Sequence, residues 1–120
     1  MNCPKIPVSI GELLDKITIL QIKSSYSDNE YIKKELNELI NIAEELNVYN
    51  SSYLIELKTI NKILWDIEDE LRLLEKQHDF SQRFIDLARS VYITNDKRAK
   101  VKKQINQETR SLYNEIKIFS

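Results

Sequence analysis

Apolar residues recur at helical spacing along most of the chain, and this pattern predicts an all-α protein. The first helix opens with Ser9 and Glu12, which have the S-x-x-E spacing of a capping box. From Ile10 to about Lys23, apolar residues cover most of the helix circumference, which is typical of a helix at the centre of a fold or in a subunit interface. Gly11 lies in the first turn, where either another backbone approaches closely, which we favour, or a glycine is simply tolerated.

Two further amphipathic stripes predict helices 2 and 3. A polar link at residues 24–29 precedes helix 2, with Asp28 or Ser27 as its cap, and residues 47–52 form the next turn. The stripe of helix 2 steps by four and three through Ile32, Leu36, Leu39, Ala43 and Leu46. The most regular heptad of the chain lies on helix 3 and consists of Leu57, Ile60, Leu64, Ile67, Leu71 and Leu74. A heptad sustained over about 25 residues predicts a helix roughly 37 Å long that packs side by side with its neighbours.

The last third of the chain predicts helices 4 and 5. Residues 77–80 form the turn into helix 4, and Asp79 or Ser81 is its cap. The stripe of helix 4 consists of Phe80, Phe84, Leu87 and Val91. The polar segment 94–96 predicts a break and a new cap, after which helix 5 runs from about Lys97 to Ile118. The buried side of helix 5 is marked by Val101, Ile105, Leu112, Ile116 and Phe119.

Together these stripes predict an antiparallel bundle of four to five helices, with the long, heptad-patterned helix 3 at its centre. The sequence leaves open whether helices 4 and 5 are separate or form one kinked rod. Composition agrees with a bundle, because one glycine and two prolines in 120 residues are too few for the turns that sheets and long loops need. The length and a hydrophobic fraction of 42% predict a single all-α domain over residues 1–120.

Charge and cysteine content exclude several classes of protein. The 18 basic and 19 acidic residues give a net charge of -1, so no global field attracts the chain to nucleic acid or anionic lipid. The segment 97–103 is locally basic, but acidic helices surround it, which disfavours nucleic-acid binding. Cys3 is the only cysteine, which excludes an internal disulfide. The chain also has a single histidine, His78, so it has too few ligands for a Cys/His metal site. Without a signal peptide or a long apolar run, we expect a cytoplasmic protein with no membrane contact.

Three groups of polar residues recur at spacings of three and four beside the apolar stripes, so each group shares one helix face. They are Glu12, Asp15 and Lys16 on helix 1; Trp65, Glu68 and Asp69 on helix 3; and Arg89, Tyr92, Asn95, Arg98 and Lys102 on helices 4 and 5. If these faces meet, they form one polar cluster, which is the candidate ligand-binding site. The alternatives are ordinary solvated charge and a buried ion-pair network that fixes the fold.

The residue types in this cluster suit a phosphorylated ligand. Arg89, Arg98 and Lys102 would hold phosphate, since guanidinium groups bind phosphate through two parallel hydrogen bonds. The adjacent carboxylates Glu68 and Asp69 would bind Mg²⁺ or Mn²⁺, or act as acid and base. Trp65 or Tyr92 would stack on a ring, although a tryptophan beside a heptad also serves as a wall of the core.

Several segments match a known sequence pattern. The segment 8–20, VSIGELLDKITIL, resembles the opening of a family of small bacterial and phage proteins of unknown function, whose pattern reads V-S-[IP]-G-E-L-L-D-K-I-T-I-L. The resemblance continues through LWDIED at 64–69 and through 84–98, which contains A-R-S-V-Y-x-T-N-D-x-R. It implies a compact helical protein, from a family sometimes encoded near, or fused to, sugar-transfer and surface-polysaccharide functions. It implies no activity, cofactor or catalytic residue, but its patterned residues fall within the three polar groups.

Two functional hypotheses are compatible with these observations. The first is a self-associating helical module that forms a homodimer and binds a partner protein, because helices 1 and 3 offer more apolar surface than one small core needs. The second is a binder of a phosphorylated small molecule, or an enzyme acting on one, with a nucleotide or nucleotide-sugar held in the polar cluster. The sequence identifies no cofactor and leaves open whether the protein is an enzyme.

Overall fold

The computed structural model describes residues 2–118 and contains four α-helices in that range. They are α1 (Ile10–Tyr26), α2 (Glu30–Glu45), α3 (Ser51–Lys76) and α4 (Gln82–Glu108). No strand occurs between residues 2 and 118, so the predicted all-α helix bundle is confirmed. Within the same range, no helix combines the length and the apolar character that a membrane crossing requires.

Each helix begins at a polar residue, but not always at the predicted one. Ser9 caps α1, and its hydroxyl accepts a hydrogen bond from the backbone N–H of Glu12 at 3.0 Å. The cap of α2 is Asn29 rather than Asp28 or Ser27. The Asn29 carboxamide accepts from the N–H of Tyr31 at 2.8 Å. The prediction was wrong by one or two residues because all three side chains are short acceptors, and only backbone geometry selects among them.

The remaining caps follow the same chemistry. The carboxamide of Asn50 accepts from the first turn of α3, and Ser81 occupies the cap position of α4. Asp79 lies just before that helix, and its carboxylate accepts from the backbone N–H of Ser81 at 3.1 Å. Hydrogen bonds from Ser81 lower the pKa of the Asp79 carboxyl. This arrangement fixes the turn that joins α3 to α4.

Helix α1 packs against each of the other three helices. Its side chains Leu14 and Ile17 are completely buried and join Leu57 of α3 and Ile105 of α4 in the main core cluster. The apolar pattern around α1 is therefore explained by burial within the chain. The sequence allowed this helix to lie either at the centre of the fold or in a subunit interface, and the structure places it at the centre of the fold.

Helices 4 and 5 of the sequence analysis are one continuous helix, so the predicted break at residues 94–96 is wrong. Thr94 is buried against the core and the helix passes through it without interruption. The cost of polar residues inside a helix is only tenths of a kcal/mol each, and tertiary packing outweighs it. Helix α4 ends at Glu108, far short of the predicted Ile118. Arg110, just beyond, has the left-handed conformation common after helix ends, with φ 55°.

The predicted buried side of helix 5 is correct only within α4. Val101 and Ile105 are buried, whereas Leu112 and Ile116 are 84% and 81% exposed. The last member, Phe119, lies outside the described residues. Residues 111–118, here called the C-terminal strap, are not helical. The apolar spacing in this segment therefore does not reflect a helix face.

Helices α3 and α4 extend beyond the end of α1. The ring of Tyr26, the last residue of α1, stacks on Trp65 of α3 with ring centres 5.3 Å apart. Helix α3 continues from that level to Lys76, and α4 returns antiparallel to it. Residues 66–93, the ends of α3 and α4 with the turn that joins them, are here called the distal hairpin, and its tip lies past the end of α1.

Helices α1 and α4 meet in a close contact at Gly11. The N–H of Gly11 donates to the Oδ1 atom of Asn106 at 2.7 Å. A Cβ atom at position 11 would lie 2.8 Å from the backbone oxygen of Lys102 and 3.2 Å from its Cα. Such distances are below van der Waals contact, so the two helices approach this closely only because residue 11 lacks a side chain.

We expect Gly11→Ala to destabilise the protein by about 1–3 kcal/mol, because the added methyl group forces the two backbones apart. The loss occurs although alanine is the better helix former by about 1 kcal/mol. Urea unfolding measures it, with Asn37→Ala on the exposed face of α2 as the control, expected within about 0.5 kcal/mol of wild type. Equal stability of Gly11→Ala and wild type would show that the contact between α1 and α4 is loose.

Candidate functional site

A buried carboxylate, Asp15 on α1, lies at the centre of a polar cluster. Its side chain is completely buried. Arg98 of α4 donates to both of its oxygens, from Nε to Oδ1 at 2.9 Å and from Nη2 to Oδ2. Asn61 of α3 donates to Oδ1 at 2.8 Å. One carboxylate therefore joins three helices through charge-assisted hydrogen bonds.

Two members of this cluster, Asn61 and Thr18, were not predicted from the sequence. The Nδ2 group of Asn61 also donates to the hydroxyl of Thr18 at 2.9 Å, and that hydroxyl donates to the backbone oxygen of Asp15 at 2.7 Å. The usable signal was the position of Asn61 directly beside the apolar heptad, four residues after Leu57 and three before Leu64. A polar residue that flanks the seam is buried where a further helix packs there, and it then needs a hydrogen-bond partner.

Lys102 forms the second layer of the cluster. Its side chain is only 7% exposed, and its ammonium donates to Glu12 at 2.7 Å and to Glu115 of the C-terminal strap at 3.0 Å. It also lies 4.0 Å from Oδ2 of Asp15. Burial alone would lower the pKa of Lys102, but the hydrogen bonds to Glu12 and Glu115 outweigh burial and raise it. Lys102 is therefore a fixed positive charge near neutral pH.

The two other shifted groups of the cluster agree with this charge pattern. Hydrogen bonding to Asp15 raises the pKa of Arg98 and outweighs the opposing effect of burial. The hydrogen bond from Lys102 lowers the pKa of the Glu115 carboxyl, and the nearby charges of Lys117 and Arg98 act in the same direction. All three groups are consequently ionised across the neutral range.

A pocket of about 260 Å³ opens beside this cluster. It is lined by Glu12, Asn95, Arg98, Ala99, Lys102, Glu115 and Lys117. Within it, the negative charges of Glu12 and of the adjoining Asp15 balance the positive charges of Arg98 and Lys102. The strap contributes one further carboxylate, from Glu115, and one further ammonium, from Lys117. The pocket is polar but carries no excess of positive charge.

The structure brings five of the eleven predicted site residues together. These are Glu12, Asp15, Asn95, Arg98 and Lys102. Lys16, next to Asp15, instead points toward α2 and pairs with Glu35 at 3.0 Å. Trp65 stacks on Tyr26 and walls the end of α1, as the structural alternative for this residue proposed. Whether the five assembled residues bind a ligand stays a prediction.

The other four predicted residues, Glu68, Asp69, Arg89 and Tyr92, are exposed on the distal hairpin. Their spacing placed them correctly on helix faces, but none of these four side chains forms a hydrogen bond or ion pair with the cluster around Asp15. Among residues 2–118, no group of three or more histidine, cysteine, aspartate or glutamate side chains is arranged to hold a metal ion. The structure therefore leaves Glu68 and Asp69 outside the cluster that holds Arg98 and Lys102, and metal or phosphate binding by either group stays a prediction.

The cluster is a satisfied network. Every buried side-chain nitrogen or oxygen atom of the described residues has a hydrogen-bond partner. A network of this kind holds α1 in one register against α3 and α4, since a slip of one residue would leave Asp15 buried and unpaired. Its chemistry is that of a structural clamp with a solvent-facing edge at Lys102 and Glu115.

The chain belongs to the family of unknown function DUF6165, whose model matches residues 4–120. No curated protein matches the chain. No solved structure matches it either. The family match confirms the resemblance noted in the sequence at the level of a family whose function is unknown.

We expect Arg98→Ala to cost about 3–5 kcal/mol of unfolding free energy, because it leaves the buried carboxylate of Asp15 without its counter-ion. The matched control is Arg83→Ala on the same helix, which removes an exposed ion pair with Glu70 and should cost less than about 1 kcal/mol. Denaturant unfolding of both variants measures the difference. Similar losses in the two variants would contradict a structural role for the Asp15–Arg98 pair.

The contact between the strap and Lys102 should depend on pH. Because Glu115 has a lowered pKa, its contribution is complete above its ordinary value of 4.5 and is lost as the pH falls through the lowered value. Lys102 has a raised pKa, so its contribution persists up to its ordinary value of 10.5 and is lost above that. We expect the amide resonances of Ile116 and Lys117 to shift below pH 4.5, and Glu115→Gln to abolish the transition. An unchanged transition in that variant would assign it to another group.

Proposed function

We propose that this member of the DUF6165 family is a self-associating helical module, and that its distal hairpin pairs with the hairpin of a second copy. One observation carries the proposal: α4 has a second heptad stripe, distinct from the stripe that faces the core. Its positions step by four and three through Ser81, Ile85, Ala88 and Tyr92, and the same spacing then continues into Asn95 and Ala99, which line the pocket beside the strap. Ile85 and Tyr92 are 46% and 57% exposed, so apolar side chains of this stripe face solvent. A heptad stripe is the pattern by which one helix packs along another.

Helix α1 does not carry the apolar surface that the proposed self-association needs. Helix α1 uses its apolar circumference inside the chain, where Leu14, Ile17 and Leu20 are buried. The hairpin, in contrast, leaves apolar side chains exposed. Besides Ile85 and Tyr92, they include Leu73, Phe80 and Ile93, which are 52%, 53% and 43% exposed. These side chains support an interaction site on the hairpin.

A second copy of the chain suits this stripe because the stripe is self-complementary. In an antiparallel pair of α4 helices related by a two-fold axis, Ala88 faces the partner subunit's Tyr92, and Tyr92 faces the partner subunit's Ala88. The small side chain of Ala88 leaves room for the large exposed ring opposite it. The net charge of -1 adds little repulsion between two copies. Arg89 flanks the stripe, forms no ion pair with any of residues 2–118, and is free to stack on the partner's tyrosine.

The polar pocket supports the small-molecule hypothesis less well. A phosphate brings at least one negative charge into a pocket whose own charges cancel, and most side-chain donors of Arg98 and Lys102 already serve Asp15, Glu12 and Glu115. A phosphate there would compete with these carboxylates for the two cations. We therefore place the protein with interaction modules rather than with nucleotide-binding enzymes.

Sedimentation equilibrium at micromolar concentration tests the proposal. We expect wild type to have twice its chain mass of 14.2 kDa, and Ala88→Glu to be monomeric, because an unpaired carboxylate would lie in the middle of the interface. Ala88 is exposed in the monomer, so the variant should keep its helix content and unfolding free energy. Asn37→Glu on α2 adds the same charge at another exposed helical site and should remain dimeric. A monomeric wild type, or a dimeric Ala88→Glu, contradicts the proposal.

A further inference from the structure

The C-terminal strap runs back along α4, toward the hairpin. Its first residue, Ser111, accepts a hydrogen bond from the N–H of Ile10 at 3.0 Å and donates its own N–H to the backbone oxygen of Asn106 at 2.9 Å. Further along, Glu115 binds Lys102 at 3.0 Å, and the ammonium of Lys117 lies 4.0 Å from Asp96. As the strap advances from 111 to 117, its contacts on α4 therefore move back from residue 106 to residue 96.

The two sides of the strap differ in chemistry. The charged residues Glu115 and Lys117 face α4 and hold the strap in place. The apolar residues that alternate with them, Ile116 and Ile118, are 81% and 90% exposed. Such alternation is typical of an extended chain, in which successive side chains point to opposite sides. Here one side binds α4 and the other faces solvent. The strap thus displays two isoleucines to solvent while its anchoring contacts are ionic.

We infer that the strap of each copy packs its two isoleucines against the hairpin tip of the partner subunit, and this inference rests on the proposed function. In this antiparallel pair, each residue further along one α4 lies level with a residue further back along the other. With Ala88 level with the partner subunit's Tyr92, residues 96–102 therefore come level with about residues 78–84 of the partner subunit. Residues 96–102 are the part of α4 over which the strap lies. The same antiparallel pairing therefore brings the strap to the partner's exposed residues around Phe80 and Ile85.

This arrangement accounts for apolar surface that the chain itself leaves uncovered at two separate places. The tip carries Phe80 at 53% and Ile85 at 46% exposure, and the strap carries its two isoleucines. With a two-fold axis, the strap of each copy packs on the tip of the other. The two equivalent contacts close the dimer, so it does not extend into a filament. It also adds area to a single helix–helix contact, which by itself is small compared with the roughly 800 Å² per partner of a standard interface.

The experiment compares dimer dissociation constants by sedimentation for wild type, Ile116→Ser/Ile118→Ser and the control Leu112→Ser. Leu112 is also 84% exposed, but it lies at the far end of the strap, beyond the level of the partner's tip. We expect the double variant to raise the dissociation constant about tenfold or more, and the control to leave it within about twofold. Ile85→Ser should weaken the dimer as well, and its effect should be smaller in the double-variant background, since the residues share a contact.

A cross-linking experiment gives an independent readout. In a Cys3→Ser background, a mixture of Ile85→Cys and Ile116→Cys chains should form a mixed disulfide dimer on oxidation, while Ile85→Cys and Leu112→Cys chains should not. If wild type dimerises but the strap variants bind as tightly as wild type and no mixed disulfide forms, the strap inference is wrong and the hairpin dimer stands. If wild type is a monomer, both are overturned.

Discussion

The fold depends on the neutralisation of one buried carboxylate, that of Asp15. A carboxylate removed from water costs several kcal/mol unless a counter-ion and further donors replace the lost hydration. Arg98 and Asn61 supply these interactions from α4 and α3, and Arg98 reaches both carboxylate oxygens. The helix that carries Asp15 can therefore occupy only one register between its two long neighbours. The close contact at Gly11 fixes the same helix one turn earlier, where side-chain volume rather than charge is decisive.

The clamp on α1 also determines where the bundle stops. With Asp15 held beside Arg98, the end of α1 reaches Trp65, and the stacking of Tyr26 on that ring closes the shared core. Everything on α3 and α4 past this level forms a two-helix structure with a half-covered seam. Helices paired only with each other gain less from packing than helices in a bundle, so the hairpin tip should open more readily than the region around Asp15. In the proposed dimer, the second copy would cover these exposed apolar residues and stabilise the hairpin against local opening.

Local chemistry explains which parts of the fold could be predicted from the sequence. The heptad of α3 and the cap at Ser9 depend on residues within one helix, and both are confirmed. The break at residues 94–96 was wrong because a buried Thr94 and long-range packing outweigh weak local preferences. Spacing assigned the polar residues to helix faces, but it could not show that α1 ends at Trp65. For that reason the prediction placed Glu68 and Arg89 in one site with Asp15. Glu115 was missed because its segment was taken for a helix with a different periodicity.

The separation of the predicted cluster into two regions bears on what each region can do. Around Asp15, opposite charges cancel and every buried polar side-chain atom of residues 2–118 is bonded, so a charged ligand there would compete with existing ion pairs. On the hairpin, Arg89 and Tyr92 are exposed, and Tyr92 belongs to the outer stripe that Arg89 flanks. New contacts at this surface cost only desolvation and side-chain ordering, and they break no internal bond of the chain. Because binding energy is available where existing interactions need not be broken, this difference supports the hairpin, rather than the buried cluster, as the recognition surface that we propose.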